Sequence, residues 1–133
     1  MLSAVVLPTF LGVFEYGRLV MVRQLMLNAA REGARIAVVG TASNPPITTA
    51  QIQAVVQSYL APMGQPLMGL AVSVYQADPM TGKATGPWDQ AAYGGAVIVK
   101  VTGVYSPVVA GLFPAGPQSF PLQAVAMMLS EAN

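Results

Sequence analysis

Residues 1–39, MLSAVVLPTFLGVFEYGRLVMVRQLMLNAAREGARIAVV, constrain the chain more than any other stretch. They read as one long helix, apolar at its start and amphipathic toward its end. Residues 1–14 carry no charge and cover about 21 Å at 1.5 Å per residue. A bilayer core of about 30 Å needs roughly 20 residues, so this run alone is short. Extending it to Leu27 brings Glu15, Arg18 and Arg23 into or beside the apolar zone. An unpaired charge there costs on the order of 3 kcal/mol or more. Glu15 and Arg18 are three apart on one helical face and can pair. Two readings follow: a tilted anchor of marginal length, or a helix that leaves the membrane and buries itself among identical helices. Pro8 removes a backbone donor and predicts a local kink or unwinding. With no basic residue ahead of the apolar run and helical periodicity well past it, a signal peptide fits poorly.

From Arg18 onward the helix is two-faced. At 100° per residue Gln24, Asn28, Arg31 and Arg35 fall within about 60° of one another, a polar stripe. On and near the opposite side Ala29, Gly33 and Ala37 recur every fourth residue, as do Ala30 and Ala34. Small residues so spaced let another backbone approach closely. Ala30, Gly33, Ala34 and Ala37 are the expected helix–sheet packing positions.

The chain is hydrophobic at 54% of its 133 residues and charged at only 8%, where a quarter is usual. Six basic and five acidic side chains cannot cover the surface of a monomer this size. Much apolar surface is therefore expected to face lipid or other subunits. A net charge of +1 excludes a nucleic-acid binder driven by phosphate contacts. There is no Cys and no His, hence no disulfide, no thiolate and no imidazole base or ligand. No serine has an activating partner at a known spacing, and phosphate-binding and dinucleotide fingerprints are absent. Asp78 and Asp89 are too few for a calcium cage. A structural protein is expected rather than an enzyme, with no cofactor and no metal.

Beyond Gly40, TASNPP is a turn, and Thr48 with Gln51 has the spacing of a capping box for a short helix. Alternation predicts strands at 70–76, 96–105 and 122–129, antiparallel because no helical crossover separates them. Residues 77–95 predict an exposed flap, with Trp88 as either a local anchor or a surface contact. Residues 106–118, SPVVAGLFPAGPQ, predict an apolar link covered by a neighbouring surface. The expected division is a helix at 1–39 and a head at 40–133.

The stretch 5–40 resembles the TadE-like family of minor pseudopilins. The resemblance rests on Leu7-Pro8, on Glu15-Tyr16-Gly17-Arg18, and on Asn28-Ala-Ala-Arg-Glu-Gly-Ala-Arg35. It implies an α+β, pilin-like fold, a long N-terminal helix whose distal half packs on a small antiparallel sheet of about three strands, plus one short helix. It implies a structural subunit of a Tad or type IV-like pilus, or a minor pseudopilin or single-pass assembly factor of the same system. Partners would be further copies in a helical filament, other pilins and the inner-membrane pilus machinery. Its location would be the bacterial cell envelope, in the inner membrane before assembly and in an extracellular filament serving attachment afterwards. Burial among neighbouring helices would fall on Leu2, Val5, Val6, Pro8 and Phe10, then on Leu11, Gly12 and Phe14. Glu15 and Arg18 close that patch. No acid precedes Glu15, although pilins generally carry one near the mature start. Glu15 paired with Arg18 or Arg23 of a neighbour is the expected substitute. No basic leader precedes Met1 in this sequence, so the expectation is either that one was removed or that insertion needs no prepilin processing.

Overall fold

The computed structural model describes residues 3–41, 43, 45–63, 67–108 and 118–130. Helix α1 (Ser3–Gly40) is 38 residues long, about 57 Å. It continues through Pro8 without unwinding; a single proline near the helix start removes only one intrahelical bond. Gly40 ends α1 with Ile47 folded against it: a Cβ there would lie 2.9 Å from the Ile47 Cβ.

Helix α2 (Thr49–Leu60) starts at a complete capping box. Gln51 N–H donates to Thr48 Oγ1 at 3.3 Å, and Thr48 N–H donates to Gln51 Oε1 at 2.8 Å. Its buried stripe is Ile52, Val56 and Leu60. A short 3-10 turn, Ala61–Met63, follows.

The sheet has four strands rather than three. They are β1 (Leu67–Ala77), β2 (Ala84–Gly86), β3 (Ala96–Tyr105) and β4 (Phe120–Leu129), all pairs antiparallel in the order β2-β1-β3-β4. β2 has only three residues, Ala-Thr-Gly, without the alternation that marks a strand. It pairs with the end of β1 at Gln76 and Ala77. The tight connection between them has Gly82 at φ 68°, and Asp78 Oδ1 accepts from Met80 and Thr81 N–H at 2.7 and 3.0 Å. Those two backbone donors hold the Asp78 carboxyl below its ordinary pKa.

Residues 77–95 are therefore not a free flap. Trp88 is 5% exposed, and its Nε1–H donates to Thr49 Oγ1 at 2.9 Å. Gly94 N–H and Ser130 N–H bond to Ser130 O and Gly95 O at 2.8 and 2.7 Å, tying the segment to the end of β4. The apolar link at 106–118 lies mostly outside the described residues.

One face of β3, Val97, Val99, Val101 and Tyr105, forms the centre of the core. The distal half of α1 brings Val22, Met26, Ala29, Ala30, Ala34 and Ala37 to it, and α2 closes the other side with Ile52 and Val56. Gly33 lies where helix, helix and sheet meet. A Cβ on it would stand 2.7 Å from Val56 Cγ2 and 3.3 Å from Val99 Cγ1. The layout is α+β and fits a pilin-like arrangement, with α1 shared between the head and a long projection.

A branched side chain at that crossing has no space. Gly33→Val is expected to destabilise the fold by about 1–3 kcal/mol through overpacking, read as a lowered thermal midpoint by far-ultraviolet circular dichroism in detergent. Gly17→Ala, where a Cβ meets nothing within 4 Å, is the control and should leave the midpoint equal or raise it slightly.

Candidate assembly and membrane-facing surface

The proximal half of α1 leaves the head with its apolar side chains uncovered. Val5, Leu7, Phe10, Val13, Phe14 and Tyr16 are each more than 60% exposed. The helix is long and apolar enough to cross a membrane by length and composition. Its one hydroxyl near the middle of this half is satisfied internally: Thr9 Oγ1 donates to Val5 O at 2.7 Å. Such back-bonding hides a donor that lipid could not satisfy.

Of the residues expected to bury themselves among neighbouring helices, Val5, Val6, Phe10, Gly12 and Phe14 are open in this chain, and Pro8 and Leu11 are half-buried. Leu2 lies outside the described residues. Glu15 and Arg18 are placed differently. They face the head, where the helix first meets it, rather than the open flank. The Tyr105 hydroxyl donates a short hydrogen bond to Glu15 Oε1. Arg18 Nη1 lies 3.6 Å from the same oxygen, and its guanidinium is 6.0 Å from the Tyr105 ring centroid. Glu15 Oε1 is thus engaged within its own chain. Glu15 Oε2 is buried and accepts no hydrogen bond among the described residues.

Tyr105 closes this joint, and the sequence signals for it are indirect. The alternation Val97, Val99, Val101, Gly103, Tyr105 puts its side chain on the core face. Its meeting with a carboxylate 90 positions away depends on how far along β3 the helix crosses. Burial, reinforced by donation to the carboxylate, pushes the Tyr105 pKa up to about 12.

The stripe Gln24, Asn28, Arg31 and Arg35 is exposed throughout. Arg35 Nη2 donates to Glu32 Oε1 at 3.2 Å, a surface pair of little energetic consequence. Ala30, Gly33, Ala34 and Ala37 are buried on the other side. Trp88 is an internal anchor here and offers no surface contact. The outer edge of β4 pairs with no strand among the described residues. With the flank of α1 it borders an open groove of about 480 Å³ lined by Val20, Arg23, Leu27, Gln123 and Val125.

A half-exposed apolar helix joined to a small head presents a surface of the kind that lipid or further subunits cover. Residues 1–35 match the family model described as TadE-like protein, in agreement with the resemblance read from the helix. The match covers α1 as far as Arg35 and ends before α2 and the sheet. No curated protein and no solved structure matches the chain. The match points to a Tad pilus-related protein, and a helix able to cross a membrane is consistent with the cell envelope.

The joint predicts an alkaline transition. The folded Tyr105 pKa lies above its ordinary 10.0, so its contribution is complete below pH 10 and is lost as pH rises toward 12. About two pKa units correspond to about 2–3 kcal/mol. Tyr105→Phe removes the donor from a buried carboxylate and should cost about 1.5–3 kcal/mol at neutral pH. In denaturant titrations the gap between wild type and variant should then close between pH 10 and 12; a constant gap excludes the linkage.

Proposed function

We propose that the chain is a structural subunit of a Tad or type IV-like pilus filament that serves surface attachment. The observation that carries this reading is the uncovered apolar surface of α1 from Val5 to Tyr16, which nothing in the described chain buries. Before assembly the helix stands in the inner membrane with the head outside it. On assembly it exchanges lipid for the helices of neighbouring copies. Relative to water, each thousand Å² of apolar surface buried contributes roughly 25 kcal/mol, from which the costs of association are subtracted. The uncharged outer edge of β4 supports the same reading. A ten-residue edge strand, FPLQAVAMML, is a pairing hazard in a free monomer and is tolerated when assembly covers it. Chemistry is no part of this function: the work is done by packing.

A second reading, a minor pseudopilin or single-pass assembly factor of the same system, is favoured by one specific observation. Glu15 Oε1 is engaged by Tyr105 and Arg18 of its own chain, which takes it from subunit-to-subunit pairing.

Gly12→Glu separates the helix surface from the head, because a Cβ at Gly12 meets nothing within 4 Å. The variant should keep the circular dichroism and thermal midpoint of the head while losing filaments in electron micrographs of the purified native assembly. Filaments that persist would remove α1 from the filament core. A wild-type protein that stays monodisperse and stable only in micelles would favour the assembly factor.

A further inference from the structure

The charges of the head are segregated from the end that faces the projecting helix. The sequence contains no Asp, Glu, Lys or Arg from Ile36 to Ala77, and none from Val101 to Ser130. The register places Leu67, Tyr105 and Phe120 side by side at the end of the sheet that meets Glu15, with Met68, Val104 and Pro121 as the next row. That second row is open: Met68 is 63% exposed, Val104 39%, and Pro121 is exposed as well. Val108, just beyond β3, is 69% exposed.

Going away from this end, the first exposed cation on the helix is Arg23, eight residues past Glu15 or about 12 Å. On the sheet the first cation is the half-buried Lys100, five residues before Tyr105 or about 17 Å. Asp78, Lys83 and Asp89 follow Ala77, where β1 meets the start of β3, at the far end. The two charged groups at the level of the base, Glu15 and Arg18, are turned inward onto Tyr105, with side chains 12% and 28% exposed.

We infer that this base, formed by Met68, Val104, Pro121 and Val108, is a lipid-contacting collar that seats the head in the interfacial layer of the bilayer. The inference rests on the membrane-inserted stage of the reading above. Helix α1 is long and apolar enough to cross a membrane, which holds the end of the head nearest Glu15 against the bilayer surface. The headgroup region is about 5–8 Å deep on each side, close to the rise from Glu15 to Val20. A head seated there lets lipid follow the helix past Glu15 without meeting an exposed carboxylate. Tyr16, amphipathic and 68% exposed, then lies at headgroup depth, where tyrosine is favoured. Arg23 reaches the phosphates. The strand ends at the base remain hydrated in that layer, so no backbone group is stranded in hydrocarbon. Strand alternation puts Met68, Val104 and Pro121 on the sheet face turned away from Tyr105 and α1. A second copy is the weaker occupant, because a membrane-crossing α1 brings this end of the head to lipid before any copy arrives.

The test exploits the absence of cysteine from the chain. Single variants Met68→Cys, Val108→Cys, Phe10→Cys and Met80→Cys are labelled with an environment-sensitive fluorophore. The full-length protein is then reconstituted in phosphatidylethanolamine–phosphatidylglycerol vesicles carrying nitroxide-labelled lipid. Labels at 68 and 108 should be blue-shifted and quenched, approaching the label at Phe10. The label at Met80, 92% exposed at the far end, should behave as in water. Labels at 68 and 108 that match Met80 while Phe10 is quenched would overturn the collar and leave the membrane stage standing. Protection of 68 and 108 only in polymerised material would assign the base to a neighbouring subunit, again against the collar. A Phe10 label that also stays in water would overturn both.

Discussion

The close approach of α1 to the sheet at Gly33 is the contact on which the rest depends. Ala29, Ala30, Ala34 and Ala37 give the helix a nearly smooth buried side, and Gly33 lets Val56 and Val99 come within van der Waals reach of its backbone. A helix seated this deeply is fixed in rotation as well as position. Its other side is then bound to point outward, and with it the polar stripe of Gln24, Asn28, Arg31 and Arg35. Because an α-helix transmits orientation along its axis, the same contact sets which faces of residues 3–14 are available beyond the head. From Ala29 to Ala37 the small side chains sit on α1 and the larger ones on β3 and α2, while Val22 and Met26 fill the core nearer Tyr105. That division lets one helix belong to a core without being thickened by it.

The second constraint is electrostatic and lies one step nearer the N-terminus. Counted along the sequence, Glu15 and Arg18 interrupt the apolar zone and make a poor membrane span. Folded, they leave the exterior: both turn toward Tyr105, which donates to the carboxylate, and the guanidinium sits beside the same oxygen and near the ring. The cost of an ionised group near lipid falls when it is paired and hydrogen-bonded. The head therefore supplies what the helix lacks. Composition alone cannot express this, since it depends on which side of a cylinder each residue occupies.

What was legible in the residues divides along the same line. Local signals held where one element decides the outcome. The Thr48–Gln51 spacing became a capping box. The alternation from Ala96 to Tyr105 became the central strand. The TadE-like pattern in the helix agrees with the family match at residues 1–35. Signals failed where the outcome belongs to a partner element. β2 is too short to carry a period and exists because β1 offers it an edge. Residues 77–95 read as an exposed flap with Trp88 open between anchor and surface contact, and it is Thr49 at the start of α2 that makes it the anchor. Strand β4 starts at Phe120, two residues before the alternation becomes readable, because Tyr105 continues the pairing of β3 that far. Tyr105 itself reads only as a core aromatic until the crossing point of α1 is known.

Membrane and filament make the same demand on residues 3–14, an uncharged exterior, and so the helix alone does not distinguish them. They make opposite demands on the head. A subunit resting in lipid needs an uncharged base and tolerates any sides. A subunit inside a polymer needs sides that neighbours can cover and has no use for a base suited to headgroups. This head has both an uncharged base around Met68 and Val108 and an uncharged edge along β4 that pairs with no strand among the described residues. A protein that occupied only one of the two environments would leave one of these surfaces exposed at a cost in solubility. Their presence together supports the proposed succession of membrane and filament, through which the Glu15–Tyr105 joint would keep helix and head in one fixed relation.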